Sequence, residues 1–104
     1  MSVLQRNPDI VWRHEKRREE QVLKELDAGE DVTERGTVIL LISGMMHQLN
    51  LLGGMIWSLC DGTRSEEQVV EQLLREFAVE KAELAADVAE FVTDLRQRGW
   101  LIDG

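Results

Sequence analysis

Side chains capable of covalent or acid–base chemistry are sparse and scattered in this sequence. Cys60 is the only cysteine, so the chain can form neither an internal disulfide nor a thiolate metal cluster. It sits in an apolar stretch just before a turn, without an adjacent base to favour a thiolate, and reads as a small buried residue. His14 and His47 are far apart, with no Cys or second His at ligand spacing, so no metal site is indicated. Ser2, Ser43, Ser58 and Ser65 have no His and carboxylate in a triad-like arrangement. Gly53-Gly54 lacks the Lys and the spacing of a phosphate-binding loop. Carboxylates are plentiful, but no pair is singled out for acid–base work. The expectation is a non-enzyme that carries no cofactor.

What remains is the chemistry of the backbone, which depends on the elements that expose it. Ile10, Val11 and Trp12, after Pro8, predict a short edge strand. The unbroken run Val38 to Ile42 predicts a second strand. Ser43-Gly44 predicts a turn, and Met45 to Leu49 an antiparallel return. An unpaired strand edge there could take up an extended peptide through its own N–H and C=O groups. Met45-Met46 reads first as hairpin packing, and alternatively as an apolar patch that adapts to a ligand.

The second half reads as helical. Asn50 is a good N-cap for a short helix over Leu51–Cys60, in which Gly53 and Gly54 are tolerable if the backbone packs closely on a neighbour. Trp57 within it reads as core. Asp61-Gly62 stops this helix. Ser65 and Gln68 have the form of a capping box for a helix carrying Val69, Val70, Leu73, Leu74 and Phe77. A last helix, about Lys81 to Arg98, turns Leu84, Val88, Phe91, Val92 and Leu95 to one side, and Trp100 to Ile102 then fold back. Between the first two strands, His14 to Arg35 is dense in charge. It reads as a solvated, partly mobile insertion, with a short docking helix ending at Ala28-Gly29 as the alternative. The order of elements implies an α+β fold: a small antiparallel sheet of three strands packed against three helices, in one domain spanning residues 1–104.

Bulk properties narrow the partners. A formal net charge of −8 disfavours nucleic acid and anionic membrane surfaces. The hairpin Thr37 to Asn50 has no Lys or Arg, and the helix from Ser65 to Phe77 has only Arg75, which weighs against a DNA-binding winged-helix regulator. The opening residues lack the apolar core of a signal peptide, and no apolar run approaches the roughly 20 residues of a membrane helix. A cytoplasmic location is expected. An exposed edge could also pair with a second copy, so a homodimer, or a purely structural dimerisation role, stays open.

Several motifs, taken in order, resemble one family. They are Asn7-Pro8-Asp9-Ile10-Val11-Trp12-Arg13, then Leu49-Asn50, then Met55 to Gly62 (MIWSLCDG) before a Ser-capped helix. Asp87-Val88, Phe91-Val92, Leu95 and Arg98-Gly99-Trp100-Leu101 follow. Together they are similar to the PqqD family, from which the sequence departs at the 14–35 insertion and at Gly53-Gly54. The resemblance implies a winged-helix-like fold and a recognition element for ribosomally made, later modified peptides. It also implies that the precursor's leader lies in a groove between the sheet's third strand and the third helix, for delivery to a radical SAM (SPASM-type) enzyme. Carried onto this sequence, the peptide-binding residues would be Met45, Met46, His47, Gln48 and Leu49, with Asp87, Phe91, Asp94 and Arg98 facing them.

Overall fold

In a computed structural model describing residues 2–103, the chain forms β1 (Leu4–Arg6), β2 (Val11–His14), α1 (Lys16–Asp27), β3 (Gly36–Ile42) and β4 (Met45–Asn50). These are followed by α2 (Leu51–Leu59), β5 (Asp61–Arg64), α3 (Glu66–Leu74), α4 (Lys81–Gln97) and β6 (Leu101–Asp103). The α+β class holds, with a larger inventory than expected: among the described residues there are four helices and two three-stranded antiparallel sheets. The chain divides into two compact units. One is Pro8–Met55, and the other joins the residues up to Asn7 to those from Ile56 onward.

In the Pro8–Met55 unit the sheet order is β2-β3-β4, with every neighbour antiparallel. Ser43 and Gly44, with φ of 51° and 77°, form the two-residue turn of the β3–β4 hairpin. Positive φ at both central residues matches the right-handed twist of the strands they join. Val38 and Leu40 on β3 and Leu49 on β4 alternate onto one face and are buried. Helix α2 meets that face through Gly54. A Cβ there would lie 2.7 Å from Thr37 Oγ1 and 2.9 Å from Val38 Cγ2, so only glycine permits the approach. Asn50 caps α2, its Oδ1 accepting from the Gly53 N–H at 2.9 Å.

Within the 14–35 segment the structure has the alternative expected of it, a short helix: Lys16–Asp27 form twelve residues of helix packed on β3, ending at Ala28 and at Gly29 with φ 82°. One fully buried side chain, Val22, fastens it. Polar contacts secure its ends: His14 Nε2 lies 2.7 Å from Glu19 Oε2, and Arg35 pairs with Glu25. High charge density misleads here, because one buried apolar side chain, Val22, docks an otherwise polar helix.

In the second unit the sheet order is β5-β1-β6. Arg6 ties it to the end of α2: Nη1 donates to the carbonyls of Trp57 (3.0 Å) and Ser58 (2.8 Å), and the backbone N–H to that of Cys60 (2.9 Å). Trp57 is fully buried, as a core residue should be. The capping box at α3 is present in both directions. Gln68 N–H donates to Ser65 Oγ at 3.2 Å, and Ser65 N–H to Gln68 Oε1 at 2.8 Å. Helix α3 stops at Leu74, short of Phe77, and packs on α4. Leu84, Val88, Val92 and Leu95 of α4 are buried, while Phe91, grouped with them by spacing, is only half-buried.

Candidate functional site

Strand β4 is an edge. Its ladder partner is β3, and among the described residues no strand pairs with its other side. The turn determines which groups that side presents. A two-residue loop makes Ile42 and Met45 a hydrogen-bonded pair. Such pairs alternate along an antiparallel ladder, so Met45, His47 and Leu49 bond inward to Ile42, Leu40 and Val38. Met46 and Gln48 therefore turn one N–H and one C=O each toward the open side. The side chains divide differently: Met45, His47 and Leu49 share the face of Val38 and Leu40, and Met46 and Gln48 share the opposite face with Ile39 and Leu41. Leu49 is buried and His47 half-buried, while Met45 and Met46 are 63% and 64% exposed. Hairpin packing, the first reading of the paired methionines, is thus overturned: both side chains are mostly exposed.

On α4, Asp87, Phe91 and Asp94 recur at i, i+4 and i+7 and share one face. A surface depression of about 380 Å³ is lined by these three and by Glu90. Sequence reasoning missed Glu90, although its place three residues after Asp87 puts it on the same stripe. Arg98 does not line the depression. Its Nε donates to Asp94 at 3.2 Å, and its guanidinium carbon lies 5.1 Å from the centre of the Trp100 ring, a cation–π distance. The expected residues therefore form two groups: Met45 to Leu49 along one edge strand, and Asp87, Phe91 and Asp94 on one helix face, with Arg98 turned to its own neighbours.

Cys60 is fully buried, and burial pushes its thiol up to about 12, outweighing the lowering effect of Arg6. Burial and the raised value both disfavour the reactive thiolate at neutral pH. No helix among the described residues is long and apolar enough to cross a membrane.

Three comparisons bear on this geometry. Residues 20–101 match the family described as Coenzyme PQQ synthesis protein D (PqqD). Two proteins named "PqqA binding protein", from Rhodopseudomonas palustris strains BisB5 and HaA2, are each 35% identical over 48 residues. That is 46% of this chain and 47% of theirs, so the match spans about half the length of these curated relatives. Among solved structures, TbiB1 in complex with the TbiA(beta) leader peptide superposes with a TM-score of 0.64 at 21% identity, covering 93% of each chain. The PqqD part of Methylobacterium extorquens PqqCD, described as a functional, stand-alone recognition element, gives 0.64 at 17% identity. It covers 96% of this chain and 88% of that one. At such identities the likeness speaks for the fold.

Proposed function

Because the chain belongs to the PqqD family, we propose that it is a non-catalytic recognition element that binds the leader of a ribosomally made precursor peptide and presents it to a modifying enzyme. The observation that carries this reading is the unpaired side of β4, where Met46 and Gln48 offer two donors and two acceptors at alternate residues. An extended peptide added as a fourth strand satisfies all four. Relatives named for binding PqqA and a fold neighbour solved with a leader peptide support the same reading.

Magnitudes divide the labour. Four backbone bonds at a net ~1 kcal/mol each give about 4 kcal/mol, or roughly millimolar affinity. Micromolar binding needs about 8 kcal/mol, so side chains must supply a comparable share. Met45 and Met46 are exposed, unbranched and able to mould to apolar ligand side chains. Asp87, Phe91 and Asp94 are assigned to the peptide by the family resemblance and form part of this proposal, with Glu90 added by its place on the same stripe. Arg98 is retained only through its hold on Asp94. A radical SAM enzyme as the recipient, and action in the cytoplasm, belong to the same proposal.

The test is calorimetric titration of the chain with synthetic precursor peptides of the kinds its relatives are named for, PqqA and the TbiA(beta) leader. Binding at micromolar concentration or tighter, retained by the leader alone, is expected. Binding only to the modified core segment, or none at millimolar peptide, contradicts the proposal.

A further inference from the structure

The sheet of the Pro8–Met55 unit has two edges, and the sequence treats them differently. Strand β2 carries Arg13 and follows Pro8; charge and proline are the ordinary guards of a sheet edge. Strand β4 has neither: Met45 to Leu49 contain no Lys, Arg, Asp, Glu or Pro. Its ladder shifts register only at Gly36–Val38, so no bulge interrupts Met45 to Leu49. Apolar surface leads up to this edge as well. On the outer face Val11, Leu41 and Met46 stand side by side across β2, β3 and β4, at 66%, 49% and 64% exposure. An uncharged, unbroken edge of this kind is a ready template for another strand.

The outward groups of β4 are also self-complementary. Met46 and Gln48 flank His47, and each turns one N–H and one C=O outward. Turned about a two-fold axis at His47, a second β4 runs antiparallel. It sets its Gln48 opposite Met46 and its Met46 opposite Gln48. Each of these pairs exchanges both bonds, so every outward N–H and C=O of Met46 and Gln48 in both strands is used. Neighbouring registers leave some unused. An axis at Met46 sets Gln48 against Gly44 in the turn. An axis at Gln48 sets Met46 against Asn50, whose carbonyl already accepts from Thr37 Oγ1 at 3.2 Å. The side chains agree with the His47 register. Met45 lies opposite Leu49 of the second copy, apolar against apolar on both sides of the axis, and the row ending at Met46 continues into Gln48 and Ile39 of the second copy. No like-charged Lys, Arg, Asp or Glu meet across the seam, which lets two chains of net charge −8 approach there.

We propose that β4 pairs antiparallel with β4 of a second copy of this chain, about a two-fold axis between their His47 residues, and that this pairing closes the edge until a leader peptide displaces it. The pairing stands on the edge itself; its displacement by a leader rests on the recognition-element reading. Backbone bonds alone give the pair roughly millimolar affinity, as they do a peptide, and the two Met45–Leu49 contacts raise it by about tenfold. The dimer is therefore a state of concentrated chain. At micromolar concentration the edge stands open, and a leader that also engages side chains outcompetes the second copy.

Disulfide trapping tests the register. Opposed residues of a non-hydrogen-bonded pair lie about 4.5 Å apart at Cα, within disulfide reach. On oxidation at about pH 8, where a free thiol is partly ionised, His47→Cys should form a linked dimer. Met46→Cys and Gln48→Cys should do so about tenfold more slowly or worse, because each faces its own counterpart only along a diagonal of over about 7 Å. The wild type, whose single Cys60 is buried, should form none. Thermal melts check that each variant folds. Sedimentation of the wild type up to about 1 mM chain should show a monomer–dimer equilibrium. PqqA or the TbiA(beta) leader, whichever binds in calorimetry, should return the chain to monomer. Cross-linking that is equal at the three positions, or faster at Met46 or Gln48, overturns the register. A wild type monomeric throughout that range overturns the pairing, and a dimer that persists at saturating peptide overturns the competition. Failure of both peptides to bind the monomer would overturn the recognition reading and the competition with it, while trapping and sedimentation still decide the pairing.

Discussion

Two proline substitutions one residue apart should have opposite effects. At Gln48 the backbone N–H points away from β3, so Gln48→Pro removes a donor from the open side and leaves the hairpin ladder whole. At His47 the N–H bonds to Leu40, so His47→Pro breaks the ladder inside the hairpin. Losing one net hydrogen bond costs ~1 kcal/mol, and a peptide carbonyl left without a partner adds about 1 kcal/mol more. Gln48→Pro should therefore weaken precursor binding by roughly 10- to 30-fold, since 1.4 kcal/mol is tenfold. Its melting temperature should stay within a few degrees of wild type. His47→Pro should cost about 2 kcal/mol or more of stability, the lost ladder bond plus the Leu40 carbonyl left without its partner. Calorimetry and circular-dichroism melts on both variants measure this. Equal affinity for Gln48→Pro and wild type, or unfolding by both, would refute the assigned register and with it the strand-addition mechanism.

Other consequences are as specific. Gly54→Ala should destabilise the fold despite alanine's better helix propensity, because the new methyl meets Thr37 Oγ1 and Val38 Cγ2 below 3.0 Å; an overpacking cost of about 1–3 kcal/mol outweighs the ~1 kcal/mol propensity gain and appears as a lower melting temperature. Ser65→Ala should lose about 1 kcal/mol through its cap, with Ser65→Asp recovering most of it in the same melts. Cys60 should resist a thiol reagent in native buffer at pH 8 and react at once in denaturant. Its folded value, about 12, lies above the ordinary 9.0, so the buried neutral thiol contributes stability fully below pH 9; that contribution falls as the unfolded thiol ionises between pH 9 and 12, and a Cys60→Ala chain should lose less stability across that window.

What was legible in the sequence was whatever local chemistry dictates. Ser43-Gly44 specified the turn, and through it the register of β4. Ser65 with Gln68 specified the start of α3, and Asn50 that of α2. Gly54 was readable as a close approach, though not against which residues. The three short strands were not readable: Leu4–Arg6, Asp61–Arg64 and Leu101–Asp103 are three or four residues long and include Gln, Arg, Asp and Gly, so their pairing arises from partners far along the chain rather than from propensity. Asp61-Gly62 was read correctly as the end of a helix, yet the same residues begin β5, with Gly62 at φ 88°. The charged helix α1 was misjudged because composition does not reveal that one valine is completely buried. At the site, position along β4 was legible, but which of its amides point outward followed only once the hairpin pairing was in hand. That Arg98 stands outside the depression was not legible, because the groups that hold it, Asp94 and Trp100, lie on its own helix and just beyond it. The outer row of Val11, Leu41 and Met46 is invisible as a row until three strands are laid in register.

The central claim, an open β4 side that accepts a peptide strand, is tested most directly by residue-resolved amide hydrogen exchange with and without the precursor peptide. The ladder predicts slow exchange at His47 and Leu49 in both states, and exchange at Met46 and Gln48 that is fast alone and strongly slowed on binding. Bound peptide with Met46 and Gln48 still exchanging at their original rates would contradict the account.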